Sequence, residues 1–131
     1  MKKVICFGTF DLLHIGHLDY FTQAKNHGDY LIVVLARDST KKQEQKDIAF
    51  CEHERLHLIS SLKIVDEAVL GNQEDHFKII EEKKPDIIFL GYDHPPIEKL
   101  LKEKFNLPVL RGQPYKTHQH KSSIIRNKVL G

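Results

Sequence analysis

The sequence predicts an α/β fold: a single domain, spanning residues 1–131, with one parallel sheet and helices on both of its faces. Short apolar segments rich in Val, Ile and Leu alternate along the chain with longer segments whose apolar residues recur at helical spacing. This alternation is typical of β-α units, which bury a parallel sheet between two layers of helices. A length of 131 residues fits one compact domain with its own core.

The elements of the amino-terminal half follow in order. Residues 4–7 are a continuous apolar run that ends at a glycine, which predicts a strand buried on both faces. Residues 17–26 have the apolar spacing of a helix, and residues 30–36 predict a second buried strand. The lysine-rich segment 37–49 has no clear period and is predicted to be a loop, after which residues 52–62 form a helix.

The carboxyl-terminal half continues the alternation. Strands are predicted at residues 67–70, 86–90 and 107–110, and helices at 75–83, at 96–104 and from Ser122 onward, with a polar loop at 112–120. Ligands of open parallel sheets bind beyond the carboxyl ends of the strands. A site is therefore expected in the loops that follow Phe7, Ala36, Leu90 and Leu110.

Composition narrows the class of protein. Lys and Arg total 20 and Asp and Glu total 18, so the net charge of +2 is too small to indicate a nucleic-acid-binding protein. The two cysteines, Cys6 and Cys51, make no disulfide framework, and segment 1–10 has too short an apolar run for a signal peptide. No segment has the length of a membrane span. We therefore expect a cytoplasmic protein whose partners are small molecules, with no nucleic acid and no membrane.

Residues 8–17 are the most informative segment, and they read Gly-Thr-Phe-Asp-Leu-Leu-His-Ile-Gly-His. The segment follows the first strand and opens the first helix, whose free N–H groups and positive dipole end favour a phosphate. Gly8 permits a tight turn, and Gly16 removes a side chain where a ligand could press on the backbone. The segment has neither the glycine fingerprint of dinucleotide-binding folds nor the P-loop pattern.

His14 and His17 are three residues apart at the start of a helix, so both rings can face the same side. Two imidazoles there can donate hydrogen bonds to an α-phosphate as negative charge builds on it during transfer. The same spacing also suits histidines that only cap the helix or bind a metal. Spacing alone does not separate these alternatives.

The Gly-Thr-Phe-Asp and His-Ile-Gly-His elements resemble the signature of the cytidylyltransferase-like nucleotidyltransferases. The resemblance continues along nearly the whole chain, through Glu54-Arg55, Val65-Asp66-Glu67, Leu90-Gly91-Tyr92-Asp93 and Lys121-Ser122-Ser123-Ile124. It implies a Rossmann-like fold and direct in-line transfer of a nucleoside monophosphate from an NTP to a phosphate-bearing acceptor, with release of pyrophosphate. It also implies that Mg²⁺ arrives with the NTP and that the protein is a homodimer.

The resemblance assigns roles to individual residues. His14 and His17 stabilise the transition state, and Lys46 joins them from the loop at 37–49, with Lys42 as the second choice. The alternative for these lysines is that they belong to a solvated run of charged residues and have no role in the site. Nucleotide contacts are implied for Thr9, Phe10, His14, Ile15, Gly16, His17, Asp93, Tyr115, Ser122 and Ser123.

A further group of residues is expected to contact the acceptor or a phosphate, namely Asp11, Lys42, Arg55 and Arg126. Asp11 is expected to shape the loop or the acceptor site. Arg55 either reaches the pocket, which the resemblance favours, or pairs with Glu52 or Glu54 on its own helix. Arg126 either reaches a phosphate or lies at the surface.

Two branches of the family share patterns with this chain. The glycerol-3-phosphate cytidylyltransferases, which use CTP, share Arg111 and the serine pair at 122–123, although a longer loop replaces the compact motif between them. The archaeal-type FAD synthases, which transfer AMP from ATP to FMN, share the patterns at residues 36–38, 69–71, 84–88 and 115–116. The FAD synthase pattern is favoured, the cytidylyltransferase is second, and a sugar-phosphate adenylyltransferase is third.

Two alternatives belong to other classes of protein. A zinc site could draw on His53, His57, His118 and His120, but structural zinc takes four ligands, usually including cysteines, and no convergent set is visible. A non-enzymatic nucleotide-binding protein would be expected to lose one of the paired histidines or the serine pair, and the sequence retains all of them. Both alternatives rank below the enzyme.

Overall fold

The structure of the protein is a computed structural model that describes residues 1–39, 49–72 and 77–115. Within these residues strands and helices alternate in the order β1 (Lys3–Gly8), α1 (Ile15–Lys25), β2 (Tyr30–Leu35), α2 (Glu52–Ser60), β3 (Glu67–Leu70), α3 (Lys78–Lys83), β4 (Ile87–Leu90), α4 (Glu98–Phe105) and β5 (Val109–Arg111). The strands form one sheet in the order β3-β2-β1-β4-β5, and every neighbouring pair is parallel. The predicted α/β fold with a parallel sheet is therefore confirmed.

Two apolar layers cover the sheet, one on each face. Val4 and Cys6 of β1 point into the layer that α1 and α2 complete, and Ile5 points into the layer that α3 and α4 complete. The strands are apolar on both faces because each face is buried by helices. Burial raises the pKa of the Cys6 thiol, so this cysteine is a small core residue rather than a nucleophile. No described helix is long and apolar enough to cross a membrane.

Aspartates that immediately precede a strand set the register at the amino edge of the sheet. The N–H of Asp86 donates to the carbonyl of Lys3 at 2.8 Å, and its carboxylate accepts from the N–H of Lys3, also at 2.8 Å. Asp66 makes the same reciprocal pair with Leu31, and Asp29 makes it with the residue before β1. A slip of one residue would break both bonds of a pair and turn the apolar side chains to the wrong face.

The observed boundaries differ from the sequence-based ones in ways that have physical causes. The first helix begins at Ile15, two residues earlier than expected, because His14 caps it. The fourth helix begins at Glu98, since Pro96 belongs to a turn in which the N–H of Ile97 donates to the carbonyl of Pro95. The predicted loop at 112–120 and the terminal helix extend beyond the described residues, as does most of the loop at 37–49.

Candidate active site

Strands β1 and β4 stop pairing at the carboxyl edge of the sheet, and the space beyond their last pair is called the crevice. Strand β1 stays paired with β2 as far as Gly8, but its pairing with β4 ends where Cys6 faces Phe89. Strand β4 continues to Leu90 alongside β5. The strand order runs outward in opposite directions from this point, which is where open α/β sheets bind ligands. The loops at 9–14 and 91–97 flank the crevice.

His14 and His17 stand at this edge, at the first turn of α1. The Nδ1 atom of His14 accepts the N–H of Gly16 at 3.1 Å, and the N–H of His14 donates to Nδ1 of His17 at 3.2 Å. The rings stack with centroids 3.9 Å apart. The expectation that both rings face the same side is confirmed. They also cap the helix, so a capping role and a shared face occur together in the same arrangement and do not exclude each other.

The capping bonds determine which nitrogen of each ring carries the proton. A neutral imidazole whose Nδ1 accepts a hydrogen bond has its proton on Nε2. Both rings therefore carry their proton on Nε2, near the positive dipole end of α1, and the Nε2 atom of His14 is buried. Burial, followed by the charge of His14, lowers the pKa of His17 to about 3. His17 is thus neutral at physiological pH, so its ring can offer an anion a hydrogen bond but no positive charge.

The neutral state of His17 predicts that stability depends on pH. Because its folded-state pKa of about 3 lies below the usual value of 6.5, protons bind the unfolded chain first, and stability is lost as the pH falls below about 6.5. The free energy of unfolding is expected to be ~2 kcal/mol lower at pH 5 than at pH 7, as measured by urea denaturation. In His17→Asn, which removes the titrating ring, the free energy of unfolding should fall much less between pH 7 and pH 5. An equal loss in both proteins would contradict the prediction.

Phe10 lies beneath the loop rather than in the crevice. Its backbone has a φ of 53°, and its ring is buried against Phe21, with centroids 5.0 Å apart, and against His17, with centroids 5.2 Å apart. Any nucleotide contact by Phe10 would therefore come from its main chain. Gly8 is required for a reason the sequence did not suggest: a Cβ there would lie 2.4 Å from the Phe10 ring, and Gly8 has no positive φ.

Asp11 ties the first loop to the segment that enters α2. Its buried carboxylate accepts the N–H of Ala49 at 2.7 Å and the N–H of Phe50 at 2.9 Å. Each oxygen thus holds one main-chain donor. This arrangement supports the expectation that Asp11 shapes the loop, in preference to a contact with the acceptor.

Arg55 has neither of the arrangements expected for it. It does not pair with Glu52 or Glu54, and its side chain is fully buried, so it does not face a ligand. The guanidinium donates to the carbonyl of Thr9 at 2.9 Å, to the carbonyl of Phe50 at 3.2 Å and to the carboxylate of Asp38 at 2.8 Å. Arg55 therefore joins the loops that follow β1 and β2 to the start of α2.

A group of charged residues beside Arg55 was missed by the sequence analysis. The N–H of Glu52 donates to Asp38 at 3.1 Å, and the N–H of Asp38 donates back to Glu52 at 3.0 Å. Arg37 donates to the second oxygen of Glu52 at 3.3 Å. The only sign of this group in the sequence was the Ala-Arg-Asp pattern at 36–38, which does not indicate which residues Arg37 and Asp38 contact.

The loop that carries Asp93 is held from β5. The guanidinium of Arg111 donates to four carbonyls within residues 91–95, at 2.7 to 3.1 Å, and makes two bonds to the carboxylate of Glu98. The N–H of Gly91 donates to Nδ1 of His94 at 2.9 Å. Arg111 therefore positions the Asp93 loop on the β4 side of the crevice, opposite the histidine pair.

Comparison with known proteins assigns this arrangement to a family. The cytidylyltransferase-like family model matches residues 5–128. The chain belongs to the cytidylyltransferase-like family. It is 43% identical to an FAD synthase of Thermoplasma volcanium over 135 residues, covering 99% of this chain and 95% of the relative. An FAD synthase of Methanohalophilus mahii is 42% identical over 136 residues, with the same coverage.

A solved structure supports the fold of this cytidylyltransferase-like protein. The lipopolysaccharide core biosynthesis protein from Thermoplasma volcanium superimposes with a TM-score of 0.85 at 45% identity, covering 88% of this chain and 99% of that one. The match confirms the Rossmann-like class expected from the resemblance.

The remaining site residues of the cytidylyltransferase-like chain fall into two groups. Thr9, Ile15 and Gly16 lie on the loop and first turn that carry the histidines, with Ile15 46% exposed. Tyr115 lies two residues after Gln113, whose main chain makes two hydrogen bonds to the Gln23 amide, at 2.8 and 2.9 Å. Other expected site residues lie outside the described residues, namely Lys42, Lys46, Ser122, Ser123 and Arg126.

The zinc alternative finds no support in the part of the chain that the structure describes. His53 and His57 are exposed on α2, while His118 and His120 lie outside that part. Across residues 1–39, 49–72 and 77–115, no three or more His, Cys, Asp or Glu side chains form a group that could hold a metal ion.

Proposed function

We propose that the protein is an FMN adenylyltransferase, which transfers AMP from ATP to the phosphate of FMN and releases pyrophosphate. Transfer of a nucleoside monophosphate is supported by the stacked imidazoles of His14 and His17 at the first turn of α1, whose Nδ1 atoms are held by main-chain bonds. The choice of ATP and FMN is supported by relatives named FAD synthase that are 42% and 43% identical over 99% of the chain.

The reaction follows from the donors in the site. A phosphate oxygen of FMN attacks the α-phosphorus of ATP in line with the leaving group. A new P–O bond forms, the bond to the bridging oxygen of the β-phosphate breaks, and its electron pair leaves with pyrophosphate. The phosphate of FMN is already an anion at neutral pH, so the attack needs no protein base. No covalent enzyme intermediate is formed.

The histidines stabilise the charge that develops during this step. Main-chain bonds to Nδ1 fix the orientation of both rings, and their Nε2–H groups would donate to the oxygens of the α-phosphate as charge moves onto them. Gly16, one residue before His17, leaves space for the phosphate to approach the backbone. We propose that Lys46, or Lys42, and the serine pair Ser122 and Ser123 hold the β- and γ-phosphates.

We propose that Mg²⁺ enters the site bound to the triphosphate of ATP and leaves with pyrophosphate. The ion neutralises charge on the leaving group, as it does in other transfers from nucleoside triphosphates. Thr9, Asp93 and Tyr115 are proposed to contact the nucleotide from the three loops around the crevice.

We also propose, by analogy with the family, that the protein is cytoplasmic and forms a homodimer. Sedimentation equilibrium of the purified protein would test the homodimer.

One observation supports a second acceptor. The solved relative at 45% identity is named for lipopolysaccharide core biosynthesis, which raises a sugar-phosphate adenylyltransferase from third candidate to second. The glycerol-3-phosphate cytidylyltransferase has less support, because Arg111, which it shares with that branch, is occupied by the 91–95 loop and Glu98.

Substrate tests separate these functions. Purified protein with Mg²⁺ is expected to release pyrophosphate from ATP plus FMN and to form FAD, measured by chromatography of the flavins. Matched reactions contain ATP plus a sugar 1-phosphate, or CTP plus glycerol 3-phosphate. Turnover in either of these and none with FMN would contradict the proposed acceptor. ATP binding without turnover in any reaction would favour the non-enzymatic alternative.

A further inference from the structure

Tyr20 links the helix of the histidine pair to the floor of the crevice. Its hydroxyl donates to the carbonyl of Phe89 on β4 at 2.9 Å and accepts the N–H of Phe7 on β1 at 3.4 Å. The carbonyl oxygen of Phe7 lies 3.5 Å from the same hydroxyl. One phenol oxygen therefore contacts both strands at the point where they separate.

The ring of Tyr20 also belongs to the packing beneath His17. It stacks on Phe10 with centroids 6.3 Å apart, and Phe10 packs against His17. On its other side it lies 5.5 Å from the ring of Phe89. Tyr20 and His17 are three residues apart on α1, so they share a side of the helix. A shift of Tyr20 relative to β4 would therefore move His17 as well.

Beyond this contact the backbone of β4 turns away from β1. In a parallel ladder that continued by one step, the N–H of Gly91 would donate to the carbonyl of Phe7. The N–H of Gly91 instead donates to Nδ1 of His94 at 2.9 Å. Tyr20 at the last step and His94 beyond it thus end the pairing of β1 with β4 and leave the crevice open.

The loop on the far side of the crevice lies within electrostatic reach of the phenol. Burial and the neighbouring Cys6 raise the pKa of Tyr20 well above its usual value, and the charge of Asp93 adds to this effect. The phenol therefore stays protonated at physiological pH. Its hydrogen bond to Phe89 is retained throughout the pH range of an enzyme assay.

We propose that Tyr20 is a positioning residue whose hydroxyl sets the distance between the histidine pair on α1 and the Asp93 loop, and thereby the fit of ATP. The inference rests on the proposed function in taking ATP as the ligand of the crevice. Without the hydroxyl, the carbonyl of Phe7 can pair with the N–H of Gly91. The ladder then gains one step, and the Asp93 loop moves toward β1.

The test compares two variants that each lose one hydroxyl. Tyr20→Phe removes the contact at the crevice, and Tyr30→Phe removes a hydroxyl that donates to Glu67 at 3.0 Å at the opposite edge of the sheet. The Kd for ATP, measured by calorimetry with Mg²⁺ and without FMN, is expected to rise about tenfold in Tyr20→Phe, the equivalent of one hydrogen bond. It should not change in Tyr30→Phe. Equal Kd values in the two variants would overturn the inference.

The same experiments distinguish failure of the inference from failure of the proposed function. Wild-type protein that binds ATP but forms no FAD would refute the acceptor, while the Kd comparison would still decide the role of Tyr20. If wild-type protein binds no ATP, the proposed function fails, and a crystal structure of Tyr20→Phe decides instead. A Gly91 N to Phe7 O distance of about 3 Å would support the inference, and a retained bond from Gly91 to His94 would overturn it.

Discussion

Replacing His17 with alanine is expected to lower kcat for FAD formation by about 10³-fold while the protein remains folded. The variant loses the Nε2–H donor that we propose stabilises charge on the α-phosphate. It also loses the Nδ1 atom that accepts the N–H of His14, so a modest loss of stability of about 1 kcal/mol accompanies the loss of rate. Steady-state kinetics and urea denaturation measure the two effects separately.

Two amides separate the catalytic and the capping roles of His17. His17→Asn keeps an acceptor near the position of Nδ1 and has no donor near Nε2, so it should be stable but as slow as the alanine variant. His17→Gln can place an N–H near the position of Nε2, so it should recover part of kcat. A kcat for His17→Asn within tenfold of the wild-type value would show that His17 only caps the helix.

Arg55→Met is expected to lower the free energy of unfolding by about 3–5 kcal/mol, the usual cost of breaking a buried ion pair. The variant leaves the carbonyls of Thr9 and Phe50 without their donor and Asp38 without its cation. For a domain of this size the melting temperature should fall by roughly 10–20 °C. Thermal unfolding followed by circular dichroism measures the change.

The matched control is Arg37→Met. Arg37 also joins α2 to the carboxyl edge of the sheet, through Glu52, but its side chain is 30% exposed, whereas that of Arg55 is fully buried. Arg37→Met removes one partly exposed ion pair and the bond from Nε to the carbonyl of Gly71, so the control should lose about 1–2 kcal/mol and unfold about 3–8 °C below the wild type. Similar losses in both variants would mean that burial of Arg55 does not govern the effect.

The fold was predictable because its determinants are local in the sequence. Short continuous apolar runs rich in Val and Ile, such as 31–35, favour strands covered on both faces, and their alternation with helical spacing favours a parallel sheet. The boundaries were less accurate where a side chain sets them. His14 extends α1 by capping it, and no periodicity of apolar residues reports on a cap made by histidine.

The placement of the histidine pair was predictable, but the contacts that hold the surrounding loops were not. His14 and His17 were found because their spacing places them on one turn of helix. The partners of Arg55 could not be found in the same way, since Thr9 lies 46 positions away in the chain and contributes only a main-chain oxygen. The position of the Phe10 ring could not be predicted for a related reason: its positive φ turns the ring into the core, and nothing in the sequence indicates that conformation.

The aspartate pairs at the amino edge have a consequence for how this fold can change over evolutionary time. They align the strands from the end of the sheet that takes no part in catalysis, so substitutions in the loops around the crevice leave strand alignment untouched. Substitutions in a single loop can then change the preferred acceptor without compensating substitutions in the strands. A lineage of such proteins can acquire new substrates while its strand pairing stays constant, and relatives given different names can share one scaffold.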